Sequence, residues 1–310
     1  MDFIKALEKN DTETIISIRK SDIHSHGGRG GNPSFISEKT GVKIPSPPQK
    51  FDSLSHMQEW FDHNIKPVCR GREGNILRWE ACFAEAQRNN IVRLALSFSI
   101  GDIELVGGME PFVAILNGFK EQYCPKTSFE PELAYSAYCN MKDEKERIAD
   151  FLEYGFFRSI DINSGENVQL FKNFVPLYQK AEEYGMVKRM HVGEFGTADD
   201  VRNAVEVLGL DEVHHGIAAA ASKSVMQLLA DRKITLNICP SSNVMLKVAE
   251  SYKEHPIKIL VRNGVPVTIN TDDLLIFNQS IDKEYSNLFH AGTLTAEELN
   301  DIRLRGIKEI

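Results

Sequence analysis

Four short clusters in this chain of 310 residues hold side chains able to bind a metal ion and to move protons. In Asp22-Ile23-His24-Ser25-His26 the two histidines are spaced i and i+2. On an extended strand that spacing puts both imidazoles on one face, where they can converge on one point. Met190-His191-Val192-Gly193-Glu194 sets a carboxylic acid just behind a histidine, the pairing that metal-assisted proton transfer needs. Val213-His214-His215-Gly216 carries two adjacent histidines; alternation along a strand predicts that one faces inward and the other packs outside. The run Val267-Thr268-Ile269-Asn270-Thr271-Asp272-Asp273-Leu274 ends in two carboxylates. One of them can coordinate a metal while the other binds substrate, although paired aspartates also serve as helix N-caps.

Any one of these motifs is weak alone, so their placement along the chain decides. β-like runs recur at 22–26, 91–98, 128–137, 156–162, 187–192, 212–217, 234–239 and 265–271. Amphipathic stretches such as 170–184 and 198–208 separate them. Eight such runs alternating with helical patterns predict an α/β fold, a (β/α)8 barrel built as one domain over 1–310. The four clusters end four different runs, and barrel enzymes build their sites at the C-terminal ends of strands. Three imidazoles and a carboxylate there suit one catalytic zinc per chain, with a position left for water. Zinc lowers the pKa of that water from about 15.7 to about 7, which makes hydroxide available at neutral pH.

The interval 27–90 is too long for a simple crossover. It opens with the segment GGRGGNPS, continues through PSPP at 45–48, and then shows helical patterns around 54–61 and 76–87. It reads as a helical insertion after the first strand, a possible lid over the site. Aromatic Phe51, Trp60 and Phe61 either line such a lid or form ordinary core, and core is the commoner fate of aromatics at helical spacing.

Lysine and arginine total 36 against 44 aspartates and glutamates, for a formal net charge of −8. That balance argues against a nucleic-acid partner, which needs a basic face. Five scattered cysteines without a Cys-x-x-Cys pair fit reduced thiols and a cytoplasmic location. The opening MDFIKALEKND has no long apolar core, and no apolar run approaches the roughly 20 residues of a membrane span, so neither a leader nor a membrane association is expected.

Read in order, His-x-His, His-x-Gly-Glu, His-Gly, Cys-Pro-x-Ser-Asn and Thr-Asp-Asp resemble the adenosine deaminase branch of the amidohydrolases. The stretch 237–244, His255-Pro256, Gly264-Val265 and 268–273 carry the closest likeness, and weaker similarity runs through Asp282-Lys283-Glu284-Tyr285 and 294–299. The resemblance implies zinc held by His24, His26, His191 and Asp272. It implies that Glu194 donates a proton to the ring nitrogen beside the attacked carbon and that His215 orients or deprotonates the zinc-bound water. Asp273 would hydrogen-bond a further ring nitrogen. With Asp272, Glu194 and His215 make up the implied catalytic set.

The departures from the family pattern lie on the substrate side. The expected Leu-Asp-Gly after His-x-His, whose aspartate helps hold the sugar, is replaced by Gly27-Gly28-Arg29. In the stretch Asp161-Ile162-Asn163-Ser164-Gly165-Glu166, Ser164 stands where a glycine amide normally reaches the purine. Gly27, Arg29, Ser164 and Asp273 are therefore the expected substrate contacts, with Arg29 and the exposed loop amides suited to a bulkier or anionic 5′ group. The expected activity is zinc-dependent hydrolytic deamination of a purine nucleoside, adenosine or a 5′-substituted adenosine, by a monomer or small homo-oligomer. The second reading is an amidohydrolase acting on another heteroaromatic amine or on the adenine base. A third, an inactive nucleoside-binding barrel, conflicts with the retention of every ligand and of the proton donor.

Overall fold

The computed structural model describes residues 2–140, 150–166 and 168–309. Parallel segments follow one another as β1 (Lys20–Asp22), β2 (Ile91–Ser99), β3 (Ser128–Ser136), β4 (Ser159–Asn163), β5 (Val187–Lys188), β6 (His191–Val192), β7 (Glu212–His215), β8 (Thr235–Ile238) and β9 (Val267–Ile269). Neighbours in sequence pair as neighbours in space, in one sheet from β1 to β5 and another from β6 to β9. The two sheets are one surface. β5 and β6 are a single strand interrupted at Arg189 and Met190, and the Arg189 amide still donates to the Ile160 carbonyl while Met190 accepts from His214. At the other seam, Ser25 bridges in parallel to Asp272, and the Asp272 amide donates to the His24 carbonyl at 2.9 Å. Eight strands thus close into the (β/α)8 barrel that the alternating pattern predicts. Strands buried on both faces explain why Leu94, Ala95 and Leu96 are all buried in succession rather than alternating with polar residues.

The first strand is shorter than the expected 22–26. Regular pairing stops at Asp22, and only single bridges at Ser25 and His26 continue it. Side chains replace the ladder there. The Ile23 amide donates to Asn270 Oδ1 at 2.8 Å, and the Asp22 carboxylate accepts from the Thr271 amide and hydroxyl. Lower in the barrel, the buried Arg189 guanidinium pairs with Glu212 at 2.7 Å and Glu132 at 3.1 Å. Charges taken out of water must be matched in this way.

The insertion folds as helices Pro33–Thr40, Leu54–Asn64 and Gly71–Arg88. Asn32 caps the first through the Ser34 amide, with Pro33 in the first turn, and Gly41 ends it in the left-handed conformation. Ile36, Phe51, Met57, Phe61 and Ile65 form a second, smaller core with Leu246 and residues 275–277. The insertion is thus packed onto the barrel's C-terminal rim. Trp60 packs at the edge of this core and Phe51 is fully buried in it, whereas Phe61 lines the cavity below. Among the described residues no helix is long and apolar enough to cross a membrane.

Gly27 marks where the insertion leaves the barrel. A Cβ built on it would stand 2.1 Å from the Phe98 ring, which is wedged against Trp79 and Phe112. Gly27→Ala should therefore cost about 1–3 kcal/mol by overpacking, read as a lowered thermal midpoint. An unchanged midpoint would show that Phe98 yields freely.

Candidate active site

The C-terminal ends of the strands open into a cavity of about 850 Å³. One ligand atom each from His24, His26, His191 and Asp272 lies there, all within 4.8 Å of one another. His24 Nε2 stands 3.0 Å from His191 Nε2, and His26 Nε2 3.2 Å from Asp272 Oδ1. Two of the outer ring nitrogens are already committed. His24 Nδ1 donates to the Asn237 carbonyl at 2.9 Å, and His191 Nδ1 to Asp161 Oδ2 at 2.9 Å. Each ring is held in one tautomer with a bare Nε2 facing the centre. With His26 Nε2 and a carboxylate oxygen of Asp272, these two nitrogens form a donor set that fits zinc, whose bonds of about 2.0–2.2 Å suit so tight a cluster.

The supporting carboxylates come from the 161–166 stretch. Asp161 is fully buried on β4 and orients His191. Glu166 accepts from the amides of Gly193, Phe195 and Gly196, and so holds the loop that carries Glu194. Glu194 lines the cavity with Oε2 3.6 Å from His215 Nε2. Its Oε1 is buried without a hydrogen-bond partner among the described residues. Burial, reinforced by the charges of Asp272, Glu166 and Asp273, pushes the Glu194 pKa well above the ordinary carboxylate range, so the neutral acid is the favoured form.

The adjacent histidines depart from the expected alternation, because neither packs outside the barrel. His214 stays in the lumen, stacked on His24 with ring centres 3.9 Å apart, and its Nε2 lies 3.1 Å from Glu132 Oε1. His215 also faces the cavity. The reason is its backbone, whose φ of +63° breaks the two-residue repeat of a strand. Asp272, with φ +59°, does the same for the aspartate pair, and both carboxylates line the cavity.

Asn243 and His255 hold His215 from behind. The Ile257 amide donates to His255 Nδ1 at 3.1 Å, which leaves the proton of this buried ring on Nε2. Nε2 lies 3.3 Å from Asn243 Oδ1, and Asn243 Nδ2 lies 3.2 Å from His215 Nδ1. In this chain of donors His215 accepts at Nδ1, so its neutral ring carries hydrogen on Nε2, toward the cavity. Burial keeps the rings of both His215 and His255 neutral, each with a pKa lowered to about 3.

On the substrate side, Arg29, Ser164 and Asp273 line the cavity and Gly27 does not. Gly27 sits behind the wall against Phe98, and Gly28 takes the lining position. Arg29 bridges barrel and insertion: one Nη is 3.2 Å from Asp273 Oδ2, the other 2.6 Å from Gln58 Oε1.

The adenosine deaminase family pattern matches residues 134–309. A Treponema pallidum protein with the provisional name adenosine/adenine deaminase is 31% identical over 288 residues, covering 92% of this chain and 96% of that protein. The chain belongs to the adenosine deaminase family. Two solved structures share its fold at lower identity. A zinc-bound amidohydrolase of Burkholderia ambifaria superposes with a TM-score of 0.79 at 16% identity, covering 96% of this chain and 87% of that one. The apo N6-methyl-AMP deaminase of Arabidopsis thaliana gives 0.77 at 18% identity, covering 96% and 94%.

Within this adenosine deaminase family chain, Asp161 offers a clean test of the site's construction. Asp161→Asn keeps the shape but weakens the hold on His191, and should lower zinc affinity about 10–100-fold, measured by competition with a chelating dye. Unchanged affinity would show that His191 needs no orienting carboxylate.

Proposed function

We propose that this chain is a zinc-dependent hydrolase that removes the 6-amino group of a purine nucleoside, adenosine or a 5′-substituted adenosine, as ammonia. The observation that carries the reading is Glu194: a buried carboxyl whose pKa burial pushes up, with an unpartnered oxygen, set beside four converging ligand atoms. His24, His26, His191 and Asp272 would hold the zinc, which acts when bound as a Lewis acid that makes water a nucleophile at neutral pH.

The remaining work falls to side chains. Attack on an aromatic amidine carbon is feasible once the neighbouring ring nitrogen takes a proton, and Glu194 has one to give. The hydrogen on His215 Nε2 supports an orienting role for that ring. A donor at this nitrogen can align the attacking oxygen but cannot accept its proton there. Asp273, steadied by Arg29, would receive the far side of the purine, and the Ser164 turn borders the space beside it. The Burkholderia structure with bound zinc supports the metal, and the relative named for both adenosine and adenine supports the ring. The missing sugar-side aspartate after His26 keeps the adenine base in contention as substrate.

The decisive variant is Glu194→Gln. It should keep zinc and lose ammonia release by about 10²–10⁴-fold, because the amide preserves shape but holds no acidic proton. Near-full activity would remove Glu194 from the mechanism. Assays of adenosine, 5′-modified adenosines and adenine with the intact protein rank the substrates.

A further inference from the structure

The cavity has a second charged end, formed by the insertion. Arg78, on the helix Gly71–Arg88, is only 7% exposed and lines the cavity. Its guanidinium donates to Asn75 Oδ1 and lies 5.3 Å from the centre of the Phe61 ring, while its Nε is buried with no hydrogen-bond partner. Among the described residues no carboxylate lies within ion-pair distance of it. The acids in the vicinity are committed elsewhere: Asp62 pairs with Lys66 at 2.7 Å, and Asp102 accepts from the amide and hydroxyl of Ser99 in a helix cap. The Arg29 guanidinium lies 5.0 Å from the centre of the same ring, and the Lys66 ammonium 5.9 Å from it.

A buried guanidinium without a counter-charge is costly, and chains keep one where an anion arrives to match it. We propose that Arg78, with Lys66 and Asn75, forms a phosphomonoester subsite, so that the substrate is a purine nucleoside 5′-monophosphate. Two fixed features favour this occupant. The subsite opens into the same cavity as Glu194 and Asp272, so one molecule can reach both ends. The loop after His26 has Gly28 where the family's hydroxyl-binding aspartate stands, with Arg29 next to it, so the carboxylate that would repel a phosphate is absent from the cavity wall. Guanidinium, ammonium and amide donors together match the three oxygens of a phosphate.

The inference rests on the deaminase reading for the purine end alone, and binding of the reaction product tests the two separately. Inosine 5′-monophosphate and inosine are titrated calorimetrically into the zinc-loaded protein, with ammonia release from adenosine and adenosine 5′-monophosphate followed in parallel. The monophosphate should bind at least about tenfold more tightly. Arg78→Gln should erase most of that ratio, and Arg78→Lys should keep part of it. If Arg78→Gln does not fold, Lys66→Gln, on a side chain 55% exposed, should still reduce the ratio by about threefold. Equal binding of inosine and its monophosphate, or a ratio untouched in the folded variants, overturns the subsite. Ammonia from adenosine with no phosphate preference sinks the subsite and leaves the deaminase. A phosphate preference that depends on Arg78, without ammonia from either substrate, does the reverse.

Discussion

The hydrogen bond from the Asp272 amide to the His24 carbonyl joins the last strand of the barrel to the first, and the cluster of His24, His26, His191 and Asp272 depends on that closure. His24 and His26 follow β1, His191 starts β6 and Asp272 follows β9, so the candidate ligands would lie at the two edges and in the middle of an open sheet. They meet only when the sheet rolls up. The seam is reinforced by side chains rather than by a long ladder: Ser25 Oγ donates to the Asp272 carbonyl, Asn270 accepts from Ile23, and Asp22 accepts from Thr271. Closure and the convergence of these four residues are one physical event.

A second constraint works locally at the strand ends. Ser164, His215 and Asp272 all have positive φ, at +69°, +63° and +59°. For residues other than glycine such conformations cost on the order of 1–3 kcal/mol each and persist where surrounding structure imposes them. Each one lets the chain turn at a strand's C-terminal end and present neighbouring side chains to the same space. Both members of the double histidine and of the double aspartate face inward for this reason. Glu166, which gathers three amides of the 193–196 segment, fixes the remaining turn.

Periodicity made the barrel legible because a closed parallel ring leaves a repeating pattern of apolar runs and amphipathic helices. The convergence of His24, His26, His191 and Asp272 was legible because His-x-His and Asp-Asp end such runs. The inward placement of both His214 and His215 was not, since strand alternation carries no information about a single left-handed residue. Asp161 and Glu166 stand in one short motif, yet their partners lie about 30 residues away and become neighbours only through pairing of adjacent strands. Asn243 and His255 were visible as parts of Cys-Pro-Ser-Ser-Asn and His-Pro, but nothing in those motifs points to His215. Arg78 gave no signal at all, because an arginine at helical spacing reads as solvated surface. Gly27, expected against substrate, is instead demanded by Phe98.

The cavity is thus divided between an acidic end built by the barrel, where the candidate metal ligands converge, and a cationic end built by the insertion, with apolar residues also in its lining. The account stands or falls on the first of these. Its most direct test is removal and return of the metal: zinc content and ammonia release from 6-aminopurine substrates are measured before chelation, after it, and after titration with zinc. The account predicts that activity disappears with the metal and returns in proportion to zinc bound, reaching its plateau at one ion per chain. Full activity in the chelated protein, or zinc uptake without any ammonia release, would contradict it.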